Sequence, residues 1–377
     1  MPPTPRPAPA RRRGAALAGA LSAALLLAAC GGGGGGEGDG GAPPAERAEQ
    51  GSAVGEERCA ANREAGTVTY VTGYQFQASA SILDPVAAEA LGYFDAVCLD
   101  VQLQPGTGET AQNAQLVAAG TAQVSSIAGN ADVLVNVANG VDVTAVATFG
   151  HVPVATLMTG PEVTSLGQLE GTTLGHKGAL PVTIEAMLRA DGVDVDRVTQ
   201  VVVGYDPTVL VRGQVQSLTG YKSNEPLTLA ELGEEVVQWD PEDYGVPGSI
   251  ATTIVNPAFL AEHRTAVEDF LRAQLRAYSY CEENAAECVG YAAERAQAGY
   301  DEEHNAAVWE VESGLVDSSL PDGQPLGTLD EELMRTEAEF LVQMGQIPAA
   351  PDPASFTDPD VVPALYDGAG ELVWPVP

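Results

Sequence analysis

The chain of 377 residues carries 17 Lys and Arg against 52 Asp and Glu, a net charge of −35. Its first 29 residues hold four arginines and no acid, so from Cys30 onward 13 basic residues stand against 52 acidic ones, a net of −39. That surplus excludes a duplex-tracking nucleic-acid binder, which needs a basic face to displace counterions, and argues against docking onto an anionic membrane surface. With 45% hydrophobic residues the chain has the composition of a folded protein, and its length suits two domains of roughly 100–200 residues each.

In chain order, Arg11, Arg12 and Arg13 precede a 16-residue apolar stretch from Gly14 to Ala29. A basic start, an apolar middle and small residues before the cut describe a signal peptide over residues 1–29, too short for a spanning helix, which needs roughly 20 apolar residues. Leu27, Ala28, Ala29 and Cys30 resemble the bacterial lipobox, in which the cysteine is lipidated and becomes the new N-terminus. The glycine run Gly31–Gly36 and the acidic stretch after it read as a flexible tether over residues 30–64. The expected location is therefore the extracytoplasmic face of the cell membrane, with contact to the membrane through the lipid anchor only.

Four cysteines remain, an even number in an exported chain, which points to disulfides. Cys59 and Cys98 each lie just before a predicted strand, and adjacent parallel strands would bring their entry points together. Cys281 and Cys288 cannot be bridged inside one straight helix, because seven residues at about 1.5 Å rise exceed the Cα separation a disulfide tolerates. A break at Asn284 starting a new helix solves this. The predicted pairs are 59–98 and 281–288. No CxxC or Cys/His cluster is present and the four histidines are scattered, so neither a metal site nor a cofactor is expected.

From Thr67 short apolar runs alternate with helical stretches, an α/β rhythm. Strands are expected at 67–72, 99–104, 123–126, 143–147 and 155–159, with helices at 84–91, 111–118 and 133–139 between them. The rhythm restarts with strands at 174–176, 198–203 and 216–219 and helices at 183–191, 207–211 and 226–232. A return strand at 249–255 leads into one long amphipathic helix from about Pro257 to Tyr280, and the tail is helical to about Gly345. In open α/β sheets ligands sit beyond the carboxyl ends of the strands, so the loops there hold the candidate residues.

Several segments together resemble one bacterial family. Ala87–Phe94 (AAEALGYF) followed by Leu99-Asp100-Val101, Leu116–Val124 (LVAAGTAQV), Leu166–Gly178 (LGQLEGTTLGHKG), Val211–Ser217 (VRGQVQS) and Gly220–Leu227 (GYKSNEPL) are similar, in order and spacing, to the ABC-transporter solute-binding proteins of the nitrate/sulfonate/taurine and thiamine-pyrimidine-precursor group. The resemblance runs from about Thr67 to Glu294. It implies a two-lobed periplasmic-binding-protein fold of the type II kind, with a cleft between lobes joined by two crossovers: lobe I from 65–155 and 246–377, lobe II from 156–245. It also implies a non-enzymatic monomer that hands a small molecule to an ABC permease and its ATPase subunit.

Candidate ligand-binding residues follow the strands. Tyr74, Gln75 and Gln77 come after the first strand, as a stacking and hydrogen-bonding set or a solvated loop. Asn130 follows the third. His176, beside Lys177, lies before a second-lobe helix, suited to an anionic group. Tyr205 follows another strand, and Tyr221, Asn224 and Glu225 precede a helix whose first position suits Pro226. In pyrimidine-precursor binders a Glu in a similar stretch receives an exocyclic amine, which the resemblance assigns to Glu225. Gly106, Gly108 and Ala111 fit G-x-G-x-x-A but read as a helix-entry turn, not a dinucleotide site. The cleft loops are poor in cations, which favours a heteroaromatic vitamin precursor, a pyrimidine or flavin, over the alternative, a sulfonate, nitrate or taurine-type oxyanion. Two readings of another class are a thiamine-pyrimidine-synthase-like enzyme, whose clustered cysteines this chain lacks, and a non-transport surface lipoprotein.

Overall fold

The computed structural model describes residues 52–376. The signal peptide, Cys30 and the first part of the expected tether lie outside the described residues. The last nine residues of the expected tether are helix α1 (Glu56–Glu64), about 2.5 turns, with Cys59 and Asn62 buried.

The first sheet starts with β1 (Thr67–Val71), followed by α2 (Leu83–Ala90), the short α3 (Tyr93–Ala96) and β2 (Asp100–Gln104). Next come α4 (Thr110–Ala118), β3 (Val124–Ile127), α5 (Asn130–Ala138) and β4 (Thr144–Gly150). The chain then crosses to a second sheet: β5 (Ala155–Thr159), β6 (Thr173–His176), α6 (Val182–Ala190), β7 (Thr199–Val202), α7 (Thr208–Val211), β8 (Ser217–Tyr221), α8 (Glu225–Glu231) and β9 (Val237–Trp239). It returns into β10 (Ile250–Val255), α9 (Pro257–Glu262), α10 (Arg264–Glu283), α11 (Ala285–Arg295), α12 (Glu302–Ser319) and α13 (Glu331–Gln343). Among the described residues no helix is long and apolar enough to cross a membrane.

The two sheets have matching orders, β2-β1-β3-β10-β4 and β7-β6-β8-β5-β9. In each, the strand that arrives from the crossover runs antiparallel to its neighbours, β10 to β3 and β4, β5 to β8 and β9. Both of these strands are buried along their whole length, as strands covered on both faces must be. Their β-branched and apolar runs, ATLMT and IATTIV, supply that covering surface. The C-terminal helices pack mainly on the first sheet, where Phe94 stacks on Phe270 of α10 with ring centroids 5.2 Å apart.

Both expected disulfides form, Cys59–Cys98 and Cys281–Cys288. Parallel pairing of β1 with β2, Thr67 opposite Asp100, brings the first pair together. The second rests on a helix break at Asn284, whose side chain donates back to the Tyr280 carbonyl (2.9 Å) rather than capping α11. Closing 39 residues restricts the unfolded chain more than closing seven. The Cys59→Ser/Cys98→Ser pair is therefore expected to lose about 4 kcal/mol and the Cys281→Ser/Cys288→Ser pair about 2.5 kcal/mol in urea unfolding. Equal losses would refute the loop-closure account.

The long helix expected from Pro257 to Tyr280 is two helices. Backbone φ of −132° at His263 interrupts it, separating α9 from α10.

Candidate functional site

A cavity of about 810 Å³ lies between the two sheets, and its walls are the loops after the carboxyl ends of strands from both. From the first sheet come Tyr74 and Gln77 after β1, residues 108–115 after β2 and one face of α5 after β3. From the second come residues 177–183 after β6, Tyr205 after β7 and residues 219–225 at the end of β8. Pro153 and Ser249, one from each crossover, complete the wall at the hinge side.

The glycines of the G-x-G-x-x-A segment serve packing. A Cβ on Gly106 would lie 2.0 Å from the Thr72 carbonyl oxygen, and Gly108 has φ +89° between Tyr74 and Tyr205. The chain can thus pass close under the mouth of the cavity, as a turn into α4.

Tyr74 and Tyr205 come from opposite sides and meet with centroids 5.1 Å apart and planes inclined by 44°. Tyr205 Oη donates to the Thr107 carbonyl across the gap (2.9 Å). Burial, and then the neighbouring Tyr205, push the Tyr74 phenol up to about 12. Deeper in, Lys177 forms an ion pair with Glu225, whose other oxygen accepts from the Tyr221 backbone N–H (2.7 Å). Lys177 Nζ also stands 5.9 Å from the Tyr205 ring centroid, within cation–π range. Burial lowers the Lys177 ammonium to about 8. Burial likewise raises the Tyr221 phenol above its ordinary value.

Among the described residues, Lys177 is the one Lys, Arg or His lining the cavity, against the carboxylates Glu109, Asp132 and Glu225. Lys222, on the same loop as Glu225, turns away and pairs with Glu242, while Arg212 pairs with Asp206 at the surface. The first turns of α4, α5 and α6, each nine residues long, open onto the cavity, and their N–H groups favour negative charge there.

Six sequence-predicted residues are brought together at the cavity: Tyr74, Gln77, Tyr205, Tyr221, Asn224 and Glu225. Three are not. Gln75 turns to the backbone, donating to the Gly106 carbonyl (3.2 Å). Asn130 is fully buried at the start of α5. Its Oδ1 accepts from Thr148 Oγ1 (3.1 Å) and Thr252 Oγ1 (2.8 Å), and its Nδ2 donates to Glu337 (3.1 Å). His176, the last residue of β6, is buried and is not part of the cavity wall, which its neighbour Lys177 enters. Sequence reasoning missed Glu109, Asp132, Asn136, Asn139 and Ser249 in the wall. The signal was available for the α5 set, since 132, 136 and 139 fall on one helical stripe.

The fold is that of the periplasmic binding proteins. A Candida albicans gene product described as exhibiting the generic periplasmic binding protein fold superimposes with a TM-score of 0.57 at 14% identity, over 78% of this chain and 95% of that one. The alkanesulfonate-binding protein SsuA of Xanthomonas axonopodis pv. citri, bound to MOPS, gives 0.58 at 12% identity over 78% and 98% of the two chains. The periplasmic aliphatic sulphonate binding protein SsuA of Escherichia coli gives 0.57 at 13% identity over 77% and 91%. The profile of the NMT1/THI5-like family matches residues 81–288, and the chain belongs to that family. No curated protein sequence matches it significantly.

Proposed function

We propose that this chain is the extracytoplasmic solute-binding component of an ABC importer, tethered through a lipid on Cys30. Lobe I (65–155 and 246–377) and lobe II (156–245) would close on a small organic solute, which is then passed to a permease and its ATPase. The observation that carries this reading is the cavity of about 810 Å³ walled by strand-end loops of both sheets, a volume suited to a small molecule.

For the solute, a sulfonate-type oxyanion has more support than the heteroaromatic vitamin precursor. Two neighbours of the same fold are named as sulfonate binders. The cavity also offers an anion Lys177 together with the first turns of three helices. The vitamin-precursor reading keeps one specific support, the Tyr74–Tyr205 ring pair beside three carboxylates, which suits a flat amine.

Thermal unfolding of the protein with MOPS, ethanesulfonate and an aminopyrimidine tests the reading. A ligand at 100 times its Kd adds about 2.7 kcal/mol, which for a domain of this size raises Tm by about 4 °C. A shift with the sulfonates supports the first reading, and a shift with the pyrimidine alone supports the second. No shift with any of the three overturns the assignment to these solute classes.

A further inference from the structure

Helix α12 lies outside the segment matched by the family profile and contributes no side chain to the cavity wall. Yet three of its residues reach the loops that do. Asn305 Oδ1 accepts from the Ala78 backbone N–H (3.0 Å), and Glu312 Oε1 accepts from the Ala80 N–H (2.9 Å). Both amides belong to the loop that carries Tyr74 and Gln77. On the other side Glu312 Oε2 accepts from Ser223 Oγ (2.7 Å). The His304 ring lies between Asn224 Oδ1 (2.8 Å from Nε2) and Glu231 (3.0 Å from Nδ1). Those partners belong to the β8–α8 segment that carries Tyr221, Asn224 and Glu225. Asn305 and Glu312 are seven residues apart, on one helix face, and both are buried.

We infer that α12 positions the candidate site from outside it, with Glu312 tying the first-sheet ligand loop to the second-sheet ligand loop and His304 and Asn305 securing one loop each. A hinged molecule with two crossovers gains a third connection this way, placed where the two halves of the cavity wall meet. Glu312 is a costly group to bury, so its hydrogen bonds carry weight. One carboxylate satisfies a main-chain N–H of one loop and a hydroxyl of the other, and removing it leaves the buried Ala80 N–H unpaired. His304, Asn305 and Glu312 are thus positioning residues. The inference rests on the proposed solute site for its consequence, though not for its geometry.

Two measurements separate these. The first is hydrogen–deuterium exchange on the ligand-free protein. Glu312→Ala is expected to speed exchange at least about tenfold both in residues 74–81 and in residues 221–225, because a buried hydrogen bond is lost in each. Ser223→Ala keeps the Ala80 bond and is expected to speed only residues 221–225, and it stands in if Glu312→Ala does not fold. Exchange at wild-type rates in residues 221–225 of either variant overturns the inference. The second is MOPS affinity, expected to weaken about tenfold in Ser223→Ala and in His304→Ala, with Tm lowered by no more than about 4 °C. A lowered Tm with wild-type affinity assigns these residues to stability alone and overturns the inference. If the wild-type protein does not bind MOPS, the sulfonate reading fails, and the exchange result still decides the role of α12.

Discussion

Replacing Lys177 with Gln is expected to weaken sulfonate binding at least about 100-fold, measured by calorimetry with MOPS. Among the described residues Lys177 is the one cationic side chain in the wall and the one side chain there that can supply a charge-assisted donor. The substitution also leaves Glu225 facing the ligand without its partner, adding repulsion to the lost attraction. Glu225→Gln should do the reverse: it keeps the ammonium, relieves it of its internal competitor, and is expected to hold or tighten sulfonate affinity. An amine ligand inverts both outcomes, since it would use Glu225 and find it freed by Lys177→Gln. Burial lowers the Lys177 ammonium to about 8, so the charge is present below that pH and lost above it. Sulfonate affinity in the wild type should fall as pH rises through about 8, and the Lys177→Gln variant should show no such step. Wild-type affinity in Lys177→Gln would remove Lys177 from the site.

Why some of this was legible in the sequence and some was not follows from how each signal arises. Ile250–Val255 announces itself as a continuous β-branched and apolar run buried on both faces, and Thr67–Val71 as an alternating run whose Val68 and Tyr70 are buried while Thr67 is exposed and Thr69 half-buried. The three-residue β9, Val237–Trp239, carries too few residues for a period to show. The break at His263 was hidden because the apolar stripe runs through α9 and α10 in nearly constant phase. Placing candidates after strand ends found the right loops but not always the right side chain. Leu174, Gly175 and His176 are buried on both faces of the sheet, so no alternation marks which residue at the strand end turns to the cavity, and it is Lys177, one residue past β6, that does so. Asn130 looked like a ligand residue because it follows a strand. Its partners Thr148, Thr252 and Glu337 come from three distant segments, and no local pattern could have paired them. The same is true of Glu312, whose role depends on contacts more than 80 residues away in sequence, 89 in the case of Ser223.

Buried carboxyl groups set the second large expectation, a protein more stable in mild acid than at pH 8. Burial raises Glu337 to about 8, and Glu312 and Asp84 each to about 7. A carboxyl raised in the fold binds its proton more tightly than it does in the unfolded chain. Its contribution is therefore fully present below the ordinary values of 4.5 for Glu and 3.8 for Asp, and is lost as pH rises through 7 to 8. Each such group contributes a slope of about 1.4 kcal/mol per pH unit while protonated in the fold and ionised in the unfolded chain. Between pH 5.5 and 8 Glu337 alone is expected to account for on the order of 3 kcal/mol. His151, lowered by burial from 6.5, works the other way in the acid part of this range. The net negative charge of the chain also relaxes in acid, but repulsion between exposed charges is screened by salt and the burial of Glu337 is not. Urea unfolding in 0.5 M salt at pH 5.5 and 8, for the wild type and Glu337→Gln, separates the two. The variant should lose most of the Glu337 share of the slope, and a slope identical to the wild type would show that Glu337 is already ionised in the fold. Because Glu337 accepts from Asn130 at the start of α5, whose next turns line the cavity, the same titration places a proton directly behind the cavity wall.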